Sequence, residues 1–182
     1  VATPIGNLAE LTLRAVHVLG LVDAVACEDT RVSAGLLKHL GQHKPLLALH
    51  EHNEREASAR VILRLARGER VAYVSDAGTP AISDPGAALV AAVQAAGHRC
   101  VPIAGVSSVV AALSVAGDAL AAGFAFVGFA PNKAAERHAW LSALAARSNE
   151  SVVFFEAPHR VAALADAMAD VMPTRRVTLA RE

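Results

Sequence analysis

Cysteine is scarce in this sequence: Cys27 and Cys100 are the only two in 182 residues. Two thiols outside any CxxC pair exclude a disulfide framework, and they read as reduced thiols of a cytoplasmic protein. An excess of one charge is lacking too. Seventeen basic residues face seventeen acidic ones, so net charge gives no general argument for nucleic acid or membrane, and an anionic partner needs a local patch. No apolar run reaches the about 18 residues of a membrane span, and no segment reads as a signal peptide. Large aromatics are rare, and the helical spacing around Trp140 favours a core position over base stacking. What remains is 54% apolar and 19% charged, the composition of a folded domain with a sizeable core.

Short apolar runs alternate with amphipathic ones. Residues 22–27, 45–50, 71–75, 99–103, 124–129, 152–155 and 177–180 read as strands, nearly continuous in apolar character and therefore suited to burial on both faces. Val1-Ala2 reads as the tail of a strand that begins earlier. Helices are expected near 10–20, 31–40, 54–67, 86–96, 107–116, 134–147 and 160–171. Asn53 with Glu56 forms a capping-box pattern and Gly68 a stop. Asp84-Pro85 reads as an N-cap followed by proline at the first helical position, and Gly97 closes that helix. The repeated β-then-α order predicts an α/β fold with parallel pairing. A boundary is expected near 104–123, where a helix rich in small residues (107–116) leads into the loose connection 117–123, giving an N-terminal α/β domain over 1–106 and a second, incomplete α/β domain over 107–182.

In open α/β sheets, ligands bind beyond the carboxyl ends of the strands. Five stretches fall there: ATPIGN (2–7), CEDTR (27–31), HEHNE (50–54), SDAGTPAISDPG (75–86) and AGVSS (104–108). The fourth is dense in backbone-controlling residues. Gly78 permits a turn and a close main-chain approach by a ligand, and Thr79-Pro80 stiffens the next step. Such a loop suits a flat polar ligand such as a nucleoside. Common signatures are missing: there is no GxGxxG, Phe129 stands where a Walker lysine would be, and Gly105-Val106-Ser107 lacks the closing glycine of a nucleophile elbow. His50 and His52 around Glu51 supply only two ligands of suitable spacing, so no metal is expected.

Taken together, VATPIGNLAELTLRA, CEDTR, HEHNE, VSDAGTPAISDPG and FFEAPHR resemble, in matching order, the ribosomal RNA small-subunit methyltransferase I family of the tetrapyrrole-methylase superfamily. The resemblance implies a two-domain α/β homodimer that uses S-adenosylmethionine to methylate the ribose 2′-hydroxyl of a cytidine in 16S rRNA, free or in the assembled 30S particle. It also implies a longer chain than this one. By matching motif, the donor is contacted by Pro4, Ala77, Gly78, Thr79, Ile82, Ser107 and Ser108, and by Glu156 and Ala157. One departure stands out. The family's Pro-Gly-Pro-Ser is Ala104-Gly105-Val106-Ser107 here, which removes two residues that fix φ and predicts a weaker grip on the donor.

A ribose hydroxyl is a weak acid and needs help to lose its proton. Asp29, ahead of Glu28, is the candidate base, with His50, Glu51 and His52 on the neighbouring loop. A capping role for Asp29 on the following helix is the equal alternative. Candidate phosphate contacts are Arg31, Lys133, Arg137, His159 and Arg160, with a solvated helix face explaining Arg137 nearly as well. Two other functions stay open: methylation of a tetrapyrrole or other small molecule or protein by the same donor cradle, and a non-catalytic nucleoside- or RNA-binding module.

Overall fold

The Ala-Val-Ala-Cys run of β1 (Ala24–Cys27) is buried at every position, and its small, β-branched and thiol side chains suit a strand covered on both faces. The computed structural model describes residues 1–50, 53–119, 121–147 and 149–181. In it, β1 is the middle of a three-stranded parallel sheet, flanked by β2 (Leu46–Ala48) and β3 (Val71–Val74). Val25 pairs with Leu46 on one side and Ala72 on the other. The pleat then sorts side chains by parity. Val25, Cys27, Ala72 and Val74 join Leu19 of α1 (Leu13–Leu21) and Leu37 of α2 (Thr30–His39) in one apolar cluster. Ala26 joins Ala57 and Val61 of α3 (Glu54–Ala66) with Leu89 and Val93 of α4 (Ala87–Ala95) in another. Leu19 is 1% exposed, and Leu19→Ala there removes about 2–5 kcal/mol.

Thr12 caps α1 with its hydroxyl on the Ala15 N–H, and Asp29 caps α2 with its carboxylate on the Arg31 N–H. Two capping expectations fail. Asn53 makes no side-chain cap on α3; its Oδ1 accepts from the His50 N–H and its Nδ2 donates to the Ala48 carbonyl, so it closes the turn before the helix instead. Asp84 does not cap α4. That helix starts after Gly86, and its first N–H groups are met by Glu54 from α3.

Residues 99–103 read as a strand but, among the described residues, pair in no ladder. The Ala2 N–H donates to Ile103 C=O at 3.1 Å. Residues 1–3 run beside the end of β3, where Thr3 and Gly78 exchange backbone hydrogen bonds of 2.9 and 3.0 Å.

The chain divides into two compact units, Val1–Ser108 and Val109–Glu182. The second contains the body of α5 (Ser108–Ala116), then β4 (Gly123–Phe129), α6 (Ala134–Ala145), β5 (Glu150–Phe155) and α7 (Val161–Val171). β4 and β5 are parallel, with a register shift between Phe126 and Phe129. Leu141 of α6 and Leu164 of α7 form its core with Ala130, and Trp140 meets the Phe154 ring edge-on at 5.0 Å, the core placement its helical spacing predicts. Residues 177–180 are not a strand: they are irregular and mostly exposed, and Arg175 and Arg176 hold the preceding turn to carbonyls at 144–150 and 116–117.

Candidate functional site

The carboxyl ends of β1, β2 and β3 point the same way because the strands are parallel, and they deliver Glu28-Asp29, His50 and the 75–86 loop to one edge of the first unit. The Asp29 N–H donates to Asp76 Oδ1 at 3.0 Å, which ties the first loop to the third. The Thr3 hydroxyl donates to the Ser75 carbonyl at 3.1 Å, and the Thr79 hydroxyl to the Val106 carbonyl at 3.2 Å. Pro4, Ala77, Gly78, Thr79 and the segment leading to Ser107 and Ser108 are thereby knitted together. Gly105 passes so close to Ala2 that a Cβ there would lie 2.8 Å from the Ala2 methyl. Glu51 and His52 lie outside the described residues.

The 75–86 loop is conformationally unusual. Gly78, Ala81, Ser83 and Gly86 all have positive φ, and Ala81 (66°) and Ser83 (63°) are not glycine. An L-residue pays about 1–2 kcal/mol in that region, and such residues concentrate where a loop has a task beyond connection. Gly78 itself is buried, and both its N–H and its C=O are engaged by Thr3. Its role is therefore to shape the turn, while Ala77 and Ile82 (45% exposed) face solvent.

Electrostatics separate the two candidate carboxylates. Asp29 is bound by the Arg31 side chain at 2.6 Å and by its N–H at 2.8 Å, and this pairing brings its pKa down to about 2. Glu28 moves the opposite way. Partial burial, then the charges of Asp76, Asp84 and Asp29, raise it from the ordinary glutamate value. Asp84 is also raised, by burial and then Asp76. Burial and the surrounding carboxylates push the Tyr73 phenol up as well, so it stays an O–H donor. His50 is exposed at the end of the β2 connection. Among the described residues no group of three or more His, Cys, Asp or Glu is placed to hold a metal ion.

In the second unit the ends of β4 and β5 carry the remaining candidates. Glu156, 6% exposed at its side chain, receives the Ala157 N–H at 2.7 Å and the Arg160 Nη2 at 2.9 Å, with Arg160 Nε 2.8 Å away. The same guanidinium donates to the Ala130 carbonyl at 2.6 Å and to Asn132 Oδ1. Arg137 donates to the Pro131 and Asn132 carbonyls. Arg160 and Arg137 thus brace the 130–133 turn. Lys133, 80% exposed and paired with Glu136, and exposed His159 lie on the outside of that edge.

The family model described as Tetrapyrrole (Corrin/Porphyrin) Methylases matches residues 1–182. The chain belongs to the tetrapyrrole methylase family. Similar relatives named ribosomal RNA small subunit methyltransferase I include one from Neisseria meningitidis serogroup B, 50% identical over 182 residues, of which this chain spans 62%. Another, from Pseudomonas aeruginosa, is 52% identical over 184 residues, and the chain spans 64% of it. Both alignments take in all of this chain, which is thus under two thirds the length of these relatives. Among solved structures, diphthine synthase matches 93% of this chain and 71% of its own with a TM-score of 0.67 at 17% identity. The methyltransferase CobJ matches 91% and 72% with a TM-score of 0.63 at 19% identity. Those two likenesses show the tetrapyrrole methylase fold.

Within this tetrapyrrole methylase, sequence reasoning missed Glu54, Tyr73 and Asp76. Glu54 was hidden beside Asn53 and Glu56, whose spacing suggested a different cap. Tyr73, the only tyrosine, sits inside a strand pattern that reads as core. Asp76 carried a signal, its place in the SDAG turn one residue beyond Ser75, but only the fold sets it beside Asp29.

Proposed function

We propose that this chain is the donor-binding part of an S-adenosylmethionine-dependent rRNA 2′-O-methyltransferase that acts on a cytidine ribose of 16S rRNA, free or in the 30S particle. The observation that carries the reading is the strained 77–86 loop at the carboxyl end of β3. About half-identity along the whole chain to proteins named for that activity supports it. The residues fit the donor's chemistry. The turn shaped by Gly78 leads to Ile82, an apolar side chain at the surface, and the carboxylates Glu28, Asp76 and Asp84 give a negative field that complements a sulfonium. When bound, S-adenosylmethionine supplies an electrophilic methyl group.

Pro4, Ala77, Gly78, Thr79, Ile82, Ser107 and Ser108 hold the donor in this reading; the second unit's own candidates, Glu156 and Ala157, offer main chain only, because the Glu156 carboxylate is taken by Arg160. Glu28 takes the proton of the 2′-hydroxyl. Asp29 is less suited, since a carboxylate whose pKa is about 2 is a weak base at neutral pH; it orients the loop by capping α2 and stays ionised. His50 is the second proton acceptor within this edge. Lys133, His159 and Arg31 contact RNA phosphates, and Arg137 and Arg160 build the turn that presents Lys133. The full-length protein works as a homodimer, which light scattering of the purified protein tests. The activity is tested by transfer of labelled methyl from S-adenosylmethionine to unmodified 30S particles or 16S rRNA. Labelling at a cytidine 2′-oxygen is the expected result. Labelling of corrinoid precursors instead, or donor binding without any transfer, overturns it.

A further inference from the structure

One peptide unit at the end of the strained loop is gripped from both sides. The Pro85 carbonyl accepts the Tyr73 hydroxyl at 2.6 Å. The N–H of the same peptide, on Gly86, donates to Glu54 Oε1 at 2.9 Å, and that oxygen also accepts the Leu89 N–H at 3.4 Å. Tyr73 comes from β3 and Glu54 from the first turn of α3, thirty-two residues before Gly86. The Tyr73 ring lies against Gly86 so closely that no Cβ fits there. Carbonyl and N–H of a peptide are coplanar and opposed, so two partners fix both the position and the rotation of that plane.

The main chain in the rest of the loop has few partners of its own, although the Thr79 side chain holds the Val106 carbonyl at 3.2 Å. Between Thr79 and Asp84 the main chain makes, among the described residues, one long hydrogen bond, Ile82 N–H to Thr79 C=O at 3.4 Å. Two non-glycine residues in that stretch have positive φ, a conformation that persists only when the surroundings impose it. At the other end, Thr3 secures Gly78. The loop is therefore a strained span between two fixed points.

We infer that Tyr73 and Glu54 are positioning residues that lock the Pro85–Gly86 peptide and thereby hold residues 77–84 in the form that binds the methyl donor. Neither side chain is required to touch the donor. The inference rests on the donor-binding reading of this loop.

The test uses the full-length protein and its Tyr73→Phe, Glu54→Ala, Glu54→Gln and Tyr73→Phe/Glu54→Ala variants. Tyr73→Phe keeps the ring and removes one hydrogen bond; Glu54→Gln keeps the acceptor oxygen and removes the charge. Calorimetric titration with S-adenosylhomocysteine is read alongside amide hydrogen exchange. Tyr73→Phe and Glu54→Ala are each expected to weaken binding about tenfold, the scale of one hydrogen bond. Exchange should accelerate at 77–86 and stay unchanged in β1 and α2. Glu54→Gln should bind within about twofold of wild type, and the double variant should lose less than the product of the singles, because both grip one peptide. Wild-type affinity in both single variants overturns the inference. So does a Glu54→Gln variant as impaired as Glu54→Ala, or faster exchange spread over the whole sheet. A wild-type protein that binds no S-adenosylhomocysteine sinks the donor-binding reading instead. Exchange then decides the clamp alone: acceleration confined to 77–86 upholds it, and no change refutes it.

Discussion

Gly86→Ala is the substitution whose cost the structure specifies most closely. Gly86 has φ 122° and ψ −18°, outside even the left-handed well that L-residues sometimes occupy. Forcing alanine to positive φ costs about 1–2 kcal/mol. Its methyl would also overlap the Tyr73 ring, and the ring is fixed by its hydroxyl on Pro85 and by packing with α3 and α4 side chains. Overpacking of that kind adds about 1–3 kcal/mol. The sum, about 2–5 kcal/mol, corresponds to a fall in melting temperature of about 8–20 °C for a unit near 100 residues. Gly41→Ala is the control: φ is 66°, but nothing lies within 4 Å of the added carbon, so only the backbone part, about 1–2 kcal/mol, remains. Thermal and urea unfolding monitored by circular dichroism measures both. In a Tyr73→Ala background, Gly86→Ala should shed the ring part of its cost, about 1–3 kcal/mol, and keep only the backbone part. Equal losses for the two glycines in the wild-type background would refute the reasoning, because the ring contact would then contribute nothing.

Three other outcomes follow from the charges. Glu28 has a folded pKa above its unfolded value, so the folded state binds that proton more readily, and stability from this group is full below about pH 4.3 and lost as pH rises through the folded pKa. Glu28→Gln should therefore be more stable than wild type at pH 7, by no more than about 1 kcal/mol for a half-buried group still in contact with solvent, with the difference vanishing near pH 4; the same variant should lose about a hundredfold or more in methyl transfer. Asp29→Asn keeps an α2 cap and should retain most of the transfer rate, whereas Asp29→Ala, which lacks the cap on Arg31 N–H, should loosen the 28–31 segment in hydrogen exchange. Arg160→Ala strands the buried Glu156 carboxylate and should destabilise the second unit by about 3–5 kcal/mol, seen as an early unfolding step, with any loss of RNA binding following from it.

Much of the fold was legible because its signals are local. The apolar runs at 24–27, 46–48, 71–74, 123–129 and 150–155 and the amphipathic helices α1, α2, α3 and α7 carry patterns that are read directly, and Gly68 and Gly97 end α3 and α4 where expected. Residues 99–103 and 177–180 look the same by composition, yet a strand exists only where a partner offers a ladder, which composition does not encode. Caps failed for a related reason. Asn53 and Asp84 have the chemistry of N-caps, but Asn53 found the His50 N–H within its own turn, and a carboxylate from another helix reached the start of α4 first. At the site, the 75–86 loop stood out through its glycines and prolines, and motif resemblance gave it a ligand. The order of Asp29 and Glu28 was not readable. It depends on Arg31 folding back onto one carboxylate and on Asp76 and Asp84 approaching the other, and those distances belong to the folded chain alone.

The central claim is that the strained 77–86 loop binds a sulfonium nucleoside. Amide hydrogen exchange with and without saturating S-adenosylhomocysteine tests it most directly. The account predicts slowed exchange at 77–82 and at 104–108, with the outer face of α2 unchanged. Saturable binding with protection elsewhere and none in those two segments would contradict it.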